Sequence, residues 1–268
     1  MDKKQLEQRC VELTRDFVAN RANEKKRKYI NSLVPLCDND FILVSSERPD
    51  FVANYGECSY VIEHFLVDFC NDGVNNDQSE SRRANRDVMK IYKKYHDPKI
   101  GTIKECDIAD ATCDLEVEMN KLINISLSFD YQKYVDAFRR VFAYHYSRVN
   151  DYLSNTLIKG NCTKIGFLIE FHCDTEFMHA IYNNTNVYFN GRFKAFPLTK
   201  DIVDIISAAT NLDFVIISQF NEGVSVESRD VRIYEPNDVN KSIREQRIKV
   251  YDEVYFEKTR KNFRMPKI

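Results

Sequence analysis

The sequence predicts a mixed α/β fold, in which helices flank a mixed β-sheet. Apolar residues recur at helical spacing over residues 4–32, 131–157 and 199–209. Short runs that are typical of buried strands lie between these segments, at residues 41–44, 50–54, 59–69, 164–171 and 214–217. The resulting core order is a helix, three strands, a helix, a strand, a helix and a strand. This alternation predicts an α/β sandwich around one mixed sheet.

In the first helix, the apolar stripe consists of Leu6, Cys10, Leu13, Phe17 and Val18. The segment from 70 to 128 is polar and irregular apart from a basic stretch at 82–94, so we expect an insertion on the core there. We therefore predict one domain over residues 1–240 with this insertion, followed by a charged tail at 241–268.

The charge balance gives no overall attraction to nucleic acid. The chain has 268 residues, 30% of them charged, and a formal net charge of -2. Contacts with phosphates would have to come from local basic clusters, at residues 25–28, 82–94 and 244–267. Each cluster, taken alone, is equally typical of a solvated helix face.

The sequence predicts a cytoplasmic protein without a membrane partner. No window approaches the roughly 20 apolar residues of a membrane span, and the N-terminus lacks a secretory apolar stretch. The eight cysteines are scattered, without a Cys-x-x-Cys pair. They are expected to be reduced, mostly buried thiols, and not to build a zinc site among themselves.

Two acidic residues face each other across a predicted β-hairpin. A turn that is symmetric about residues 56 and 57 puts Asp50 directly opposite Glu63. Carboxylates so placed repel each other unless a proton or a cation lies between them. Mg²⁺ and Mn²⁺ suit such a pair, and a bound ion supports phosphodiester hydrolysis. Alternatively, one carboxylate points to solvent or pairs with Arg48 or His64.

The hairpin resembles the active site of PD-(D/E)XK nucleases. The resemblance rests on two segments. They are Ser46 to Phe51, which contains Pro49-Asp50, and Tyr60 to Phe65, which has Glu63 in the acidic position. The resemblance covers about residues 4–218 without the insertion, and the core order is similar to that superfamily's fold. It implies a Mg²⁺- or Mn²⁺-dependent nuclease, with DNA favoured over RNA as the substrate. By the resemblance, Asp50 and Glu63 hold the metal, with help from Glu12, or alternatively Glu7, of the first helix.

The sequence departs from that motif at the lysine, because Phe65 stands in its place. In some members of the superfamily the lysine is on the helix that follows the strands. There this chain offers His145, a candidate general base, and Arg148, a candidate phosphate contact. Both are equally compatible with packing or surface roles.

Three functions therefore remain open: a nuclease, a catalytically silent nuclease fold that binds nucleic acid or a protein partner, and an unrelated α/β interaction protein. A homo-oligomer is compatible with each of them. Metal-capable residues at 172–179 match no metal-site spacing and are expected to serve turn chemistry and packing.

Overall fold

The computed structural model of the chain describes residues 3–67, 87, 117, 131–172, 177–188, 196–220 and 230–256. The chain divides into two compact units, of which the first comprises residues 1–68 and 138–254 and the second residues 69–137 and 255–268. The predicted insertion at 70–128 and its basic stretch therefore lie outside the described residues, apart from two single positions. So do the side chains of the metal-capable segment at 172–179.

The described helices are α1 (Lys3–Asn20), α2 (Glu24–Leu33), α3 (Tyr131–Tyr146), α4 (Val149–Leu153), α5 (Lys200–Ser207) and α6 (Val239–Gln246). The described strands are β1 (Val44–Ser45), β2 (Phe51–Tyr55), β3 (Cys58–Val67), β4 (Cys162–His172), β5 (Phe177–Tyr182), β6 (Thr185–Tyr188), β7 (Phe214–Phe220), β8 (Asp230–Tyr234) and β9 (Glu253–Phe256). None of these helices combines the length and apolar character that crossing a bilayer requires.

A mixed six-stranded sheet forms the centre of the first unit, which confirms the mixed α/β class. Its strand order is β1-β2-β3-β4-β7-β8. The first three strands are antiparallel, β3, β4 and β7 run parallel, and β8 is antiparallel to β7. β6, β5 and β9 form a second, smaller sheet. The parallel strands are rich in apolar residues because both of their faces are buried, as parallel sheets require.

Helix α1 covers one face of the sheet with a stripe that differs from the predicted one. Its buried residues are Glu7, Cys10, Val11, Thr14 and Val18, whereas Leu6 of the predicted stripe is 48% exposed. The buried face is therefore displaced around the helix, and it includes a carboxylate. Hydrophobic counting missed this shift because it assigned polar residues to the solvent side.

Two predicted helices are each interrupted. The first ends at Asn20, and α2 begins after Asn23, whose side chain accepts a hydrogen bond from the Lys26 amide as an N-cap. The predicted helix at 131–157 breaks at Arg148, which leaves the helical conformation (φ -105°, ψ 7°). The preceding Ser147 hydroxyl donates to the Tyr144 carbonyl, a local bond that competes with helix continuation.

The prediction that all cysteines are reduced is wrong for two of them. Cys58 and Cys162 form a disulfide, which links the first residues of the paired parallel strands β3 and β4. They are 104 positions apart in the sequence, so only the strand register brings them together. Cys10 and Cys37 are not part of a disulfide.

The described part of the predicted tail belongs to the first unit up to residue 254. Helix α6 spans residue 241 without interruption, and Ser242 contacts the hydroxyl of Tyr29 in α2 at 2.9 Å. Gln246 donates to the Ile233 carbonyl of β8. These contacts fix α6 against the sheet.

Candidate metal centre

The β2–β3 hairpin places Asp50 and Glu63 side by side. Its register pairs Phe51 with Ile62 and Tyr55 with Cys58, as a turn symmetric about residues 56 and 57 requires. Gly56 in that turn has φ +58°, a conformation that favours glycine. The next pair beyond Phe51 and Ile62 is Asp50 and Glu63, and the Asp50 amide donates to Glu63 Oε2 at 3.3 Å.

Both carboxylates are buried, with residue exposures of 3% for Asp50 and 8% for Glu63. Asp50 Oδ2 accepts a hydrogen bond of 2.9 Å from the His64 amide. Strand alternation then points the His64 and Glu63 side chains to opposite faces of the sheet. The alternative in which Asp50 or Glu63 points to solvent is therefore excluded by their burial.

The carboxylate that α1 brings to this cluster is Glu7, and not the preferred Glu12. Glu7 is 3% exposed, and ligand atoms of Glu7, Asp50 and His64 lie within 4.8 Å of one another. Glu12 is exposed, and its Oε1 accepts a hydrogen bond from Gln8. The preference for Glu12 rested on the predicted apolar stripe, and the actual inward face of α1 contains Glu7 instead.

Lys3, one turn before Glu7, brings an ammonium to the same carboxylates. Its Nζ lies 3.1 Å from Glu7 Oε1 and 3.7 Å from Asp50 Oδ1. The Lys3 side chain is 81% exposed, so solvent screens these ion pairs. A positive charge thus reaches Asp50 from the first helix, although Phe65 occupies the expected lysine position.

His145 of α3 contacts Glu63. Its Nδ1 is 3.1 Å from Glu63 Oε1 and 3.3 Å from the Tyr152 hydroxyl. The ring stacks on Phe65, with centroids 4.2 Å apart and an interplanar angle of 9°. Phe65 therefore forms a packing surface for His145 where the motif has lysine.

Arg148 lies at the helix break, three residues after His145. Its guanidinium carbon is 4.2 Å from the centroid of the Tyr144 ring, a cation–π contact. The positive charge of Arg148 acts on the Tyr152 hydroxyl by opposing the rise in its pKa. Arg148 is thus within electrostatic reach of the site, and the structure shows no direct bond from it to Asp50 or Glu63.

The acidic cluster perturbs the proton affinities of its members. Burial, and next the charge of Glu63, raise the pKa of the Asp50 carboxyl to about 6, against the hydrogen bond from the His64 amide. Burial and the charge and hydrogen bond of Glu63 raise the pKa of Tyr152. Burial is the larger cause of both shifts, and the negative charge of Glu63, which a cation would offset, adds to it.

Sequence reasoning did not identify Lys3 or Tyr152 as site residues. Lys3 precedes Glu7 by four positions, so a correct assignment of the buried face of α1 would have found both. Tyr152 lies within the helical spacing predicted for residues 131–157, and nothing in the sequence marks its hydroxyl as a partner of His145 and Glu63.

Comparison with known proteins finds no relative of this chain. No family model matches the sequence, and neither a curated protein nor a solved structure matches it. The interpretation of the site therefore rests on the residues described above.

Proposed function

We propose that this protein is a divalent-cation-dependent nuclease of the PD-(D/E)XK type, which hydrolyses phosphodiester bonds of DNA. The observation that carries this proposal is that buried Asp50 lies beside two other buried carboxylates: its amide contacts Glu63 Oε2, and its own carboxylate is within 4.8 Å of ligand atoms of Glu7 and His64. Buried carboxylates without enough positive charge destabilise a fold, so a ligand that requires them explains their presence.

The residues of the cluster fit Mg²⁺ or Mn²⁺. These ions prefer oxygen ligands, and Mg²⁺ usually takes one or two carboxylates while keeping waters and substrate phosphate oxygens. Asp50 and Glu63 would hold the ion, and Glu7 would support it from α1. When bound, such an ion polarises the phosphoryl group and lowers the pKa of a coordinated water.

The neighbouring side chains supply proton transfer and charge. When Nδ1 of His145 carries the proton and donates to Glu63, Nε2 is the nitrogen that accepts a proton from a water nucleophile. Tyr152 and Phe65 fix the orientation of the imidazole ring. Lys3 supplies positive charge beside Asp50, and Arg148 is suited to contact a substrate phosphate.

The order and pairing of the elements support the same proposal. Helices α1 and α2 are followed by the antiparallel strands β1, β2 and β3, and helices α3 and α4 precede β4, which is parallel to β3. The superfamily resemblance implies this order. The preference for DNA also comes from the resemblance, with the basic segments as candidate phosphate contacts.

One observation favours a second candidate function, a catalytically silent nuclease fold that binds nucleic acid or a protein partner. Phe65 is 5% exposed and stacked on His145, so no ammonium stands at the motif's lysine position. In this case the acidic cluster would remain as a relic or as a binding site without hydrolysis.

A cleavage assay separates the two candidates. Purified protein is incubated with supercoiled plasmid, linear duplex DNA, single-stranded DNA and RNA in Mg²⁺, Mn²⁺ or chelator. We expect DNA cleavage that requires the cation and that falls at least a hundredfold in Asp50→Asn, because one ligand oxygen is replaced by an amide. Retention of DNA binding without cleavage of any substrate would favour the silent fold.

A matched pair on α1 tests the assignment of the helix carboxylate. Glu7→Gln is expected to lower cleavage, whereas Glu12→Gln, which alters an exposed carboxylate of the same helix, should leave it unchanged. If Glu12→Gln lowered cleavage and Glu7→Gln did not, the supporting carboxylate of α1 would be Glu12.

A further inference from the structure

A second cluster of metal-capable side chains lies beneath α1 and includes His64, which is also close to Glu7 and Asp50. It consists of Cys10, His64 and Glu170, whose ligand atoms lie within 4.8 Å of one another. Cys10 is 1% exposed and His64 is 8% exposed. His64 Nε2 is 3.3 Å from Glu170 Oε2. One sulfur, one nitrogen and one oxygen thus converge in a buried position.

Three separate elements present these ligands from a fixed framework. Cys10 is on the inward face of α1, His64 is on β3 and Glu170 is on β4. The parallel register of β3 and β4 pairs His64 with Leu168, which places Glu170 two residues further along the neighbouring strand on the same face.

Helix α1 is tied to the sheet one turn beyond Cys10. The Thr14 hydroxyl donates to the Ser218 hydroxyl at 2.9 Å, and Ser218 is the register partner of Glu170 in the β4–β7 pair. Both hydroxyl-bearing residues are buried. The distance between Cys10 and Glu170 is therefore set by buried contacts and not by mobile side chains.

We propose that Cys10, His64 and Glu170 form a transition-metal site for Zn²⁺, next to the acidic cluster of Glu7, Asp50 and Glu63. A thiolate, an imidazole and a carboxylate together are typical zinc ligands, whereas Mg²⁺ prefers oxygen alone. Three protein ligands leave a fourth position for water, and the Glu170 side chain, 15% exposed, is where solvent reaches the site.

The site would act on the acidic cluster through His64. The His64 amide donates to Asp50 Oδ2, so metal ligation of the imidazole fixes the strand segment that holds Asp50. This proposal does not depend on the nuclease function, since Cys10 and Glu170 have no part in that function and metal binding is measured without cleavage.

Cobalt binding tests the site with a readout that does not require activity. The full-length protein, stripped of metal, is titrated with Co²⁺, which takes zinc sites and gives a thiolate charge-transfer band when sulfur is a ligand. We expect a saturable band that Zn²⁺ removes. It should disappear in Cys10→Ser and persist in Cys37→Ser, a free, half-buried thiol outside the cluster.

Glu170→Gln provides a second variant in case Cys10→Ser does not fold, because Glu170 is less buried than Cys10 and its substitution disturbs the core less. Its cobalt affinity should fall roughly tenfold or more. Asp50→Asn should keep the band, which separates this site from the acidic cluster. Absence of the band in the wild type, or an unchanged band in folded Cys10→Ser and in Glu170→Gln, would overturn the proposal.

Discussion

At Asp50, burial and the neighbouring charge of Glu63 raise the carboxyl pKa to about 6, from an ordinary value of 3.8. Between these two pH values the folded state binds more protons than the unfolded state, so the free energy of unfolding falls as pH rises. Above about pH 6 the ionised carboxylate destabilises the metal-free fold. A residue that costs stability in this way is typical of a functional site.

Asp50→Asn should therefore stabilise the metal-free protein at pH 8, on the order of 2 kcal/mol. The amide oxygen still accepts the hydrogen bond from the His64 amide, while the repulsion by Glu63 is lost. At pH 4 the gain should vanish, because the wild-type carboxyl is then protonated. Urea unfolding at the two pH values measures this, with Asp16→Asn as an exposed control. A loss of stability at pH 8 would contradict the assigned charge balance.

Tyr152→Phe should destabilise the protein by about 1 to 2 kcal/mol, because the buried hydroxyl contacts His145 and Glu63. Tyr144→Phe is the matched control, since that ring is 52% exposed and keeps its contact with Arg148 when the hydroxyl is removed. Chemical denaturation compares the two. Equal effects would mean that the Tyr152 hydroxyl makes no special contact.

The local sequence pattern was sufficient to predict the proximity of those site residues that share a hairpin or a helix face. Asp50 and Glu63 follow from a symmetric turn, and His145 lies where its helix meets β3. Glu7 was ranked below Glu12 because hydrophobic spacing treats a buried carboxylate as a solvent-facing residue. The Tyr152 contacts depend on a helix break that no sequence signal located.

At the scale of elements, the parallel strands β3 and β4 form the centre of the six-stranded sheet. Both strands were predicted from strand-like runs, and their parallel register now explains two features that the sequence did not reveal. One is the Cys58–Cys162 disulfide, and the other is the convergence of His64 and Glu170. Each depends on which residues of two distant segments lie opposite each other, and this is not visible in either segment alone.

The Cys58–Cys162 disulfide closes a long loop and restricts the unfolded chain. Its reduction should therefore lower the free energy of unfolding by about 2 to 5 kcal/mol. Urea unfolding with and without reductant measures the loss. The double variant Cys58→Ser/Cys162→Ser should start at the lower stability and show no further response to reductant. A wild type that is indifferent to reductant would contradict a disulfide at this position.

Gly160→Ala should destabilise the junction between the hairpin and β4 by about 1 to 3 kcal/mol. An added Cβ would lie 2.5 Å from the Ser59 amide nitrogen and 2.8 Å from the Glu57 carbonyl oxygen, and the backbone cannot move aside cheaply. Asn161→Ala, at the exposed neighbouring position, is the control. Thermal unfolding compares the two variants. Equal midpoint temperatures would show that Gly160 lies farther from the β2–β3 hairpin than described.

At the scale of the molecule, the first unit is assembled from two sequence segments, residues 1–68 and 138–254. The mixed α/β class followed from the alternation of helical and strand periodicity. The division into units did not, because it depends on long-range packing. Likewise, the charged composition at residues 241–254 suggested a tail, whereas buried contacts of Ser242 and Gln246 place α6 within the unit.

The central claim is that the carboxylates at the end of the hairpin bind a divalent cation. Calorimetric titration of Mn²⁺ into the metal-stripped protein tests it most directly, with Asp50→Asn, Glu63→Gln and the exposed-site variant Glu57→Gln alongside. We expect a Mn²⁺ site in the wild type and in Glu57→Gln that is lost in Asp50→Asn and in Glu63→Gln, although both of these variants fold. Undiminished Mn²⁺ binding in these two variants, or no binding in the wild type, would contradict the account.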